Sequence, residues 1–384
     1  MKPLESNELL ISALEQIASF GTAPQNATHL VDVGTSRYLE YFNKEIIEDI
    51  VSEGGATCKV YEGVYGSGKS HILNLLRESA FDKGMVVAST DLSQAMSLTD
   101  WKLVTEYILQ NMEMRIDDQI IRSLPEILAA LGKYDISSNI KLLKKEYLPC
   151  SGFVNAMIYA TQKENLDQQA WELLKQYLLG YKVSVALFRN CGLRGIKGNL
   201  TQRNSEYVLK TVLGGLYYLG VKGTLLLFDE NEKTLTNNSN VPSKKNKIAA
   251  NLMRRMIDGC SNDLMIGTAV VFAVLPGFLE NCNMSYQALG QRINIVRNSL
   301  HRPAWRWPLI PIEFINLAKT PEDFLVHAIK VYIDIVKKTG GNVSNLESEM
   351  TLKGQKVLEV NAGAGYKREL MKVLSNIALE RLGL

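Results

Sequence analysis

The sequence predicts an α/β fold: a parallel sheet flanked by helices, with an all-helical insertion and a helical C-terminal region. Three observations carry this. Short, continuously apolar runs recur (Thr57–Glu62, Met85–Thr90, Gly223–Phe228, Ala269–Leu275), as in strands buried on both faces. Helix-period stripes separate them. One glycine-rich stretch joins the first strand to a helix.

The elements follow in order. Leu9, Leu10, Ala13, Leu14 and Ile17 recur at helical spacing and stop at Gly21. Tyr38, Tyr41, Phe42, Ile46, Ile47 and Ile50 line a second helix, about 37–51. The strand at Thr57 runs into Gly63-Val64-Tyr65-Gly66-Ser67-Gly68, then a helix through Ile72, Leu73, Leu75 and Leu76. The next strand closes at Asp91. From Thr99 to Leu219 the signals read as helical, with Ile120, Ile121, Leu124, Leu128 and Leu131 as one stripe and Thr201 as the cap of the last helix. Within it lies a glycine-rich basic loop, Gly192 to Asn199. Two strands follow, ending at Asp229-Glu230 and at Pro276, then a last strand (Leu309 to Ile312) and helices from Pro321 and Lys367. The expected organisation is a lead-in over 1–56, a core over 57–98 and 220–312, the insertion over 99–219, and a helical region over 313–384.

Composition narrows the function classes. Hydrophobic residues make up 46% and charged residues 22% of 384, which supports a sizeable core. Lys plus Arg (43) nearly balances Asp plus Glu (40), so nucleic-acid binding by bulk charge is disfavoured and only local basic faces remain. The five cysteines form no C-x-x-C pair and there are four histidines, which argues against a disulfide framework or a Cys/His metal site and suits a reducing cytoplasm. No run reaches the ~18 apolar residues of a membrane helix, so no membrane association is expected.

Gly63 to Ser70 reads G-V-Y-G-S-G-K-S, the G-x-x-x-x-G-K-[ST] pattern of a P-loop. Small residues let the backbone curl so that successive N–H groups point inward, and the following helix N-terminus adds to the anion site. Gly63, Val64, Tyr65, Gly66, Ser67, Gly68, Lys69, Ser70 and the His71 amide are therefore the candidate ATP contacts. Lys69 supplies charge to the β- and γ-phosphates, and Ser70 a hydroxyl to Mg2+. Leu225 to Glu230 has the form of a Walker B strand. Asp229 is placed for Mg2+, and Glu230 is placed to activate water for ATP hydrolysis. Arg292 is a candidate for completing a neighbouring subunit's site, and Arg368 for sensing the γ-phosphate. Lys244 to Lys247, Arg254-Arg255 and Arg302 to Arg306 are candidate contacts to DNA. A nucleotide-dependent switch or assembly factor with little turnover is the alternative to an ATPase.

Residues Val60 to Ser93 resemble the P-loop ATP-binding proteins of bacterial BREX phage-defence systems, in the tyrosine before Gly-Ser-Gly-Lys-Ser and the second strand ending in Asp-Leu-Ser. The likeness extends to Val33-Gly34, Arg37, Leu225 to Glu232, the strand ending at Pro276, Arg292 and Lys367-Arg368-Glu369-Leu370. The resemblance implies an AAA+-like, origin-recognition-related P-loop NTPase fold. It also implies ATP binding and hydrolysis in a defence complex, with other defence-system proteins as partners and a homo-oligomer in which Arg292 acts in trans. The sequence departs from that pattern at Leu275-Pro276, where a polar sensor is expected, and at Gly365-Tyr366, where a proline precedes the late arginine.

Overall fold

The computed structural model describes residues 7–91, 98–229, 244–294, 306–361 and 365–384. Its centre is a seven-stranded sheet of order β4-β3-β2-β5-β6-β1-β7. The strands are β1 (Ala56–Glu62), β2 (Val86–Asp91), β3 (Met112–Ile116), β4 (Gln119–Arg122), β5 (Thr224–Asp229), β6 (Thr268–Val274) and β7 (Leu309–Pro311). Five run parallel, from β2 through β5, β6 and β1 to β7. Register places Glu62 beside Val274 and Asp91 beside Asp229, so the carboxyl ends of four strands share one edge.

The apolar runs explain the layering. Leu225 and Leu227 of β5 face a core shared with the helices Ser36–Tyr41, Phe42–Val51 and Lys69–Asp82. Leu226 and Phe228 face the opposite core, with the helices Ser205–Tyr218 and Lys244–Ser261. Alternate residues thus bury on opposite faces, as a covered parallel sheet requires. Phe228 stacks on Phe272 with ring centroids 4.8 Å apart.

The stretch 99–219 is not all helical. Met112–Ile116 and Gln119–Arg122 form a hairpin that extends the sheet antiparallel from β2. Its two-residue turn is Asp117-Asp118, at φ 50° and 61°. A turn with both central residues left-handed matches strand twist. Ile120 and Ile121 therefore belong to a strand rather than to the helical stripe. The helices of this stretch share one continuous core with the sheet, from Phe228 through Leu213 to Phe153 and Tyr177. Thr201 is not a cap: the last helix starts at Ser205, and Thr201 lies in the preceding turn, its hydroxyl donating to Asn204 Oδ1 at 2.9 Å.

A third core joins the two ends of the described chain. Leu10, Leu14 and Ile17 of the helix Asn7–Phe20 pack with Tyr332, Met350 and Leu374 of the helices Pro321–Lys338, Leu346–Val360 and Tyr366–Leu382.

Lys59, 5% exposed in β1, donates to the Trp307 carbonyl at 3.2 Å. Burial pushes its ammonium down to about 8, with Cys58 and Glu45 partly opposing. Below that pH both folded and unfolded chains carry the proton, and the cost of burying the charge is fully present. Between about 8 and the ordinary value near 10.4 the unfolded chain binds more protons, so this residue's contribution to stability rises with pH. Urea unfolding of wild type and Lys59→Met in parallel is expected to show wild type gaining on the variant across that window. A constant difference overturns the assignment. The paired comparison cancels the buried thiol of Cys260, which burial raises and which acts in the opposite sense; Cys58, raised by burial and lowered by Lys59, is raised further in the variant and adds to the gain of wild type.

Candidate functional site

The P-loop follows β1 without a break. Gly63 N donates to Val274 O at 3.0 Å, and the loop turns through a Ser67 N to Val64 O bond of 3.2 Å. A Cβ at Gly63 would lie 2.5 Å from Ser67 Oγ and 2.7 Å from Ile312 Cγ2, so only glycine lets the chain pass. Gly68 holds φ 104° at the entry to the helix Lys69–Asp82, a left-handed conformation that side chains oppose. Space opens beyond it: an added Cβ there meets nothing within 4 Å.

Lys69 is 7% exposed, and its ammonium donates to the carbonyls of Gly63 (2.7 Å) and Val64 (3.1 Å), 5.4 Å from the Tyr65 ring centroid. Those carbonyls hold the charge at the mouth of the loop. The cleft over it is lined by Tyr65 to Ile72, by Asp229 at the end of β5, and by Lys367 and Arg368. Ile17, Val31, Val33, Ile315, Phe324 and Met371 give it an apolar wall. An apolar wall beside a cluster of cations suits a ligand with a flat base and an anionic tail.

Each wall has a local cause. The stem of Arg368 lies on Gly21, where an added Cβ would be 2.4 Å from its Cγ. Lys367 Nζ lies 3.4 Å from Ser67 O and 5.0 Å from the Phe324 ring centroid. Burial lowers its pKa, with Glu313 acting in the other direction. Glu78, buried on the P-loop helix, accepts from Thr28 N at 3.0 Å and meets His29 Nδ1 at 2.6 Å. It thereby pins the Thr28–Val31 turn, which forms one wall, to the helix that carries the loop. His71 Nε2 lies 3.3 Å from Asp32 Oδ1, so its side chain as well as its amide belongs to this cleft.

Among the sequence-derived candidates, the structure brings Tyr65 to His71, Asp229 and Arg368 to one cleft. Ser70 and Asp229, an alcohol and a carboxylate, are donors suited to Mg2+. Arg292 is not brought there: its Nε donates to Asp258 Oδ1 at 2.5 Å and its Nη1 to Ala288 O at 2.9 Å. Glu230, like Arg302 and most of the segment before Arg306, lies outside the described residues. Of the basic groups considered for DNA, Arg306 pairs with Glu45, and Arg255 pairs with Glu206 and lies 5.7 Å from the Trp101 ring centroid. Sequence reasoning missed Lys367 and Glu78. Lys367 had a signal in its position beside Arg368; Glu78 had none.

With this geometry in view, the comparisons can be stated. Residues 4–130 match the family described as BREX system ATP-binding protein BrxC/D, a segment that includes the whole P-loop. No curated protein and no solved structure matches the chain. Among the described residues no helix is long and apolar enough to cross a membrane.

Proposed function

We propose that this chain, whose residues 4–130 match the BREX system ATP-binding protein family, hydrolyses ATP with Mg2+ in this cleft as one component of a cytoplasmic phage-defence complex. The observation that carries the reading is the meeting of two elements far apart in sequence: the Lys69 loop and the Asp229 strand end line one cleft. The strand order supports an AAA+-like P-loop NTPase, because β6 lies between the P-loop strand and the acid-bearing strand.

In this reading the loop amides and Lys69 hold the β- and γ-phosphates. Ser70 and Asp229 would hold Mg2+, which offsets phosphate charge when bound. Glu230 takes the proton of the attacking water, and Arg368 steadies charge at the γ-phosphate. Arg292, paired with Asp258 within its own chain, is the candidate to reach the phosphates of a neighbouring copy.

A switch with little turnover is the second reading. It is favoured by Leu275-Pro276 following β6, where no polar side chain stands beside the P-loop strand.

Equilibrium binding of a fluorescent ATP analogue and phosphate release, each with and without Mg2+, test both readings. Binding with steady release supports the ATPase; binding with a single turnover supports the switch; absence of binding at millimolar nucleotide sinks the proposal. Arg368→Ala is expected to lower kcat about 100- to 1000-fold, the order found for a lost charge-stabilising group, with affinity changed far less. Specific activity that climbs with protein concentration would support Arg292 acting in trans; a flat profile would remove it.

A further inference from the structure

The glycine-rich loop between Gly192 and Asn199 has no part in the cleft. It belongs to a longer segment in which no Asp or Glu occurs between Glu172 and Glu206. Lys182, Arg189, Arg194, Lys197 and Arg203 lie in that segment, all exposed, and none makes an ion pair with a described residue. This contrasts with Arg255 and Arg306, whose charges are met inside the chain.

The segment is built, not loose. Leu193, Ile196 and Leu200 are buried, while the residues after the first two, Arg194 and Lys197, face outward. Gly192, Gly195 and Gly198 sit at φ 73°, 78° and 74°, so the backbone turns at every third residue and repeats apolar-in, basic-out. The loop lies hard against the helix Ser151–Ala160: a Cβ at Gly152 would fall 2.0 Å from Lys197 O. Asn155 Nδ2 donates to Gly195 O (3.0 Å), Arg194 N to Tyr159 Oη (3.1 Å), and Tyr177 Oη to Lys197 O (3.0 Å). Asn199 ties the two halves together through both polar groups of Val183, at 2.9 and 3.0 Å. Tyr181 and Tyr207, 53% and 52% exposed, flank the stretch.

We propose that the outward face of residues 181–203 binds the phosphate backbone of DNA. Cations on an ordered scaffold need little further ordering to bind. The stretch itself brings no carboxylate against phosphate, the neighbouring Glu106 beside Gly180 is paired with Lys102, and the flanking tyrosines supply rings for sugar or base contact. An anionic membrane fits less well, because Val183, Phe188, Leu193, Ile196 and Leu200 point inward and Leu187 is the one large aliphatic side chain exposed among them.

The test is fluorescence anisotropy of a short labelled DNA duplex with the full chain in the absence of nucleotide, so that failure leaves the ATP reading untouched. Engagement of all five cations gives a slope of log K against log salt near −4.5, a loss of roughly 500-fold between 50 and 200 mM. Arg189→Glu, Arg194→Glu and Lys197→Glu together should weaken binding more than tenfold and flatten that slope. Arg189→Lys with Arg194→Lys should retain binding. Reversal of Lys141, Lys144 and Lys145, exposed on another helix, should leave it within about twofold, since those contacts carry no counterion-release term here. No binding by wild type at 50 mM salt, equal loss from either triple reversal, or binding to phosphatidylserine vesicles without binding to DNA overturns the proposal.

Discussion

Lys69→Ala is expected to weaken ATP binding at least about 100-fold, or roughly 2.7 kcal/mol. The ammonium is 7% exposed and sits on the carbonyls of Gly63 and Val64, at the mouth of the anion cradle. A charge held there is partly desolvated already, so its attraction for phosphate exceeds that of a surface lysine. Alanine removes the charge and takes the ammonium donor from the Gly63 and Val64 carbonyls. Isothermal titration reads the affinity, and a thermal melt without nucleotide separates lost binding from lost folding. Lys69→Arg is expected to fail as well, because a planar guanidinium cannot occupy the point position of an ammonium between two carbonyls. Unchanged affinity in a folded Lys69→Ala protein would place the nucleotide elsewhere.

Glu230→Gln is expected to lower kcat about 10²- to 10⁴-fold, the range of a lost general base, while ATP affinity stays within a few fold. Glu230 directly follows Asp229, the last residue of β5, which is in register with Asp91 on β2 and lines the cleft with the P-loop. The amide keeps the size and loses the basicity. Phosphate release under saturating ATP measures the loss, and titration on the same protein measures retention. Equal turnover in both proteins would remove Glu230 from its role.

The parts of this site legible in sequence were those with a short local cause. A P-loop needs its glycines and lysine within eight positions, and β5 announces itself by Leu225-Leu226-Leu227-Phe228 before an acid. The rest depends on tertiary packing. The cleft's apolar wall is drawn from opposite parts of the sequence, Ile17 and Val33 meeting Ile315 and Met371, and these share no pattern. Glu78 reads as a surface residue of an amphipathic helix until the Thr28 amide is brought to it. The β3–β4 hairpin escaped because its turn is Asp117-Asp118 rather than an Asn-Gly pair, and because Met112 falls at helical spacing from Ile108 and Leu109, which hides the strict alternation of Met112-Glu113-Met114-Arg115-Ile116. The helix Leu346–Val360 escaped for a related reason: it buries only Leu346, Met350 and Gly354, the last against Leu325.

The helix Asn7–Phe20 shares one apolar core with three helices from beyond residue 320. These four therefore form one packed body, and the Thr28–Val31 turn that shares their core is tied to the P-loop helix through Glu78. The inner surface of this body meets the P-loop at a point of backbone contact, since a Cβ on Gly66 would come within 2.9 Å of Gly365 Cα. The packing of the first described helix against the last thus fixes where Lys367 and Arg368 stand over the loop, so a side chain as remote as Leu14 bears on both cations at once.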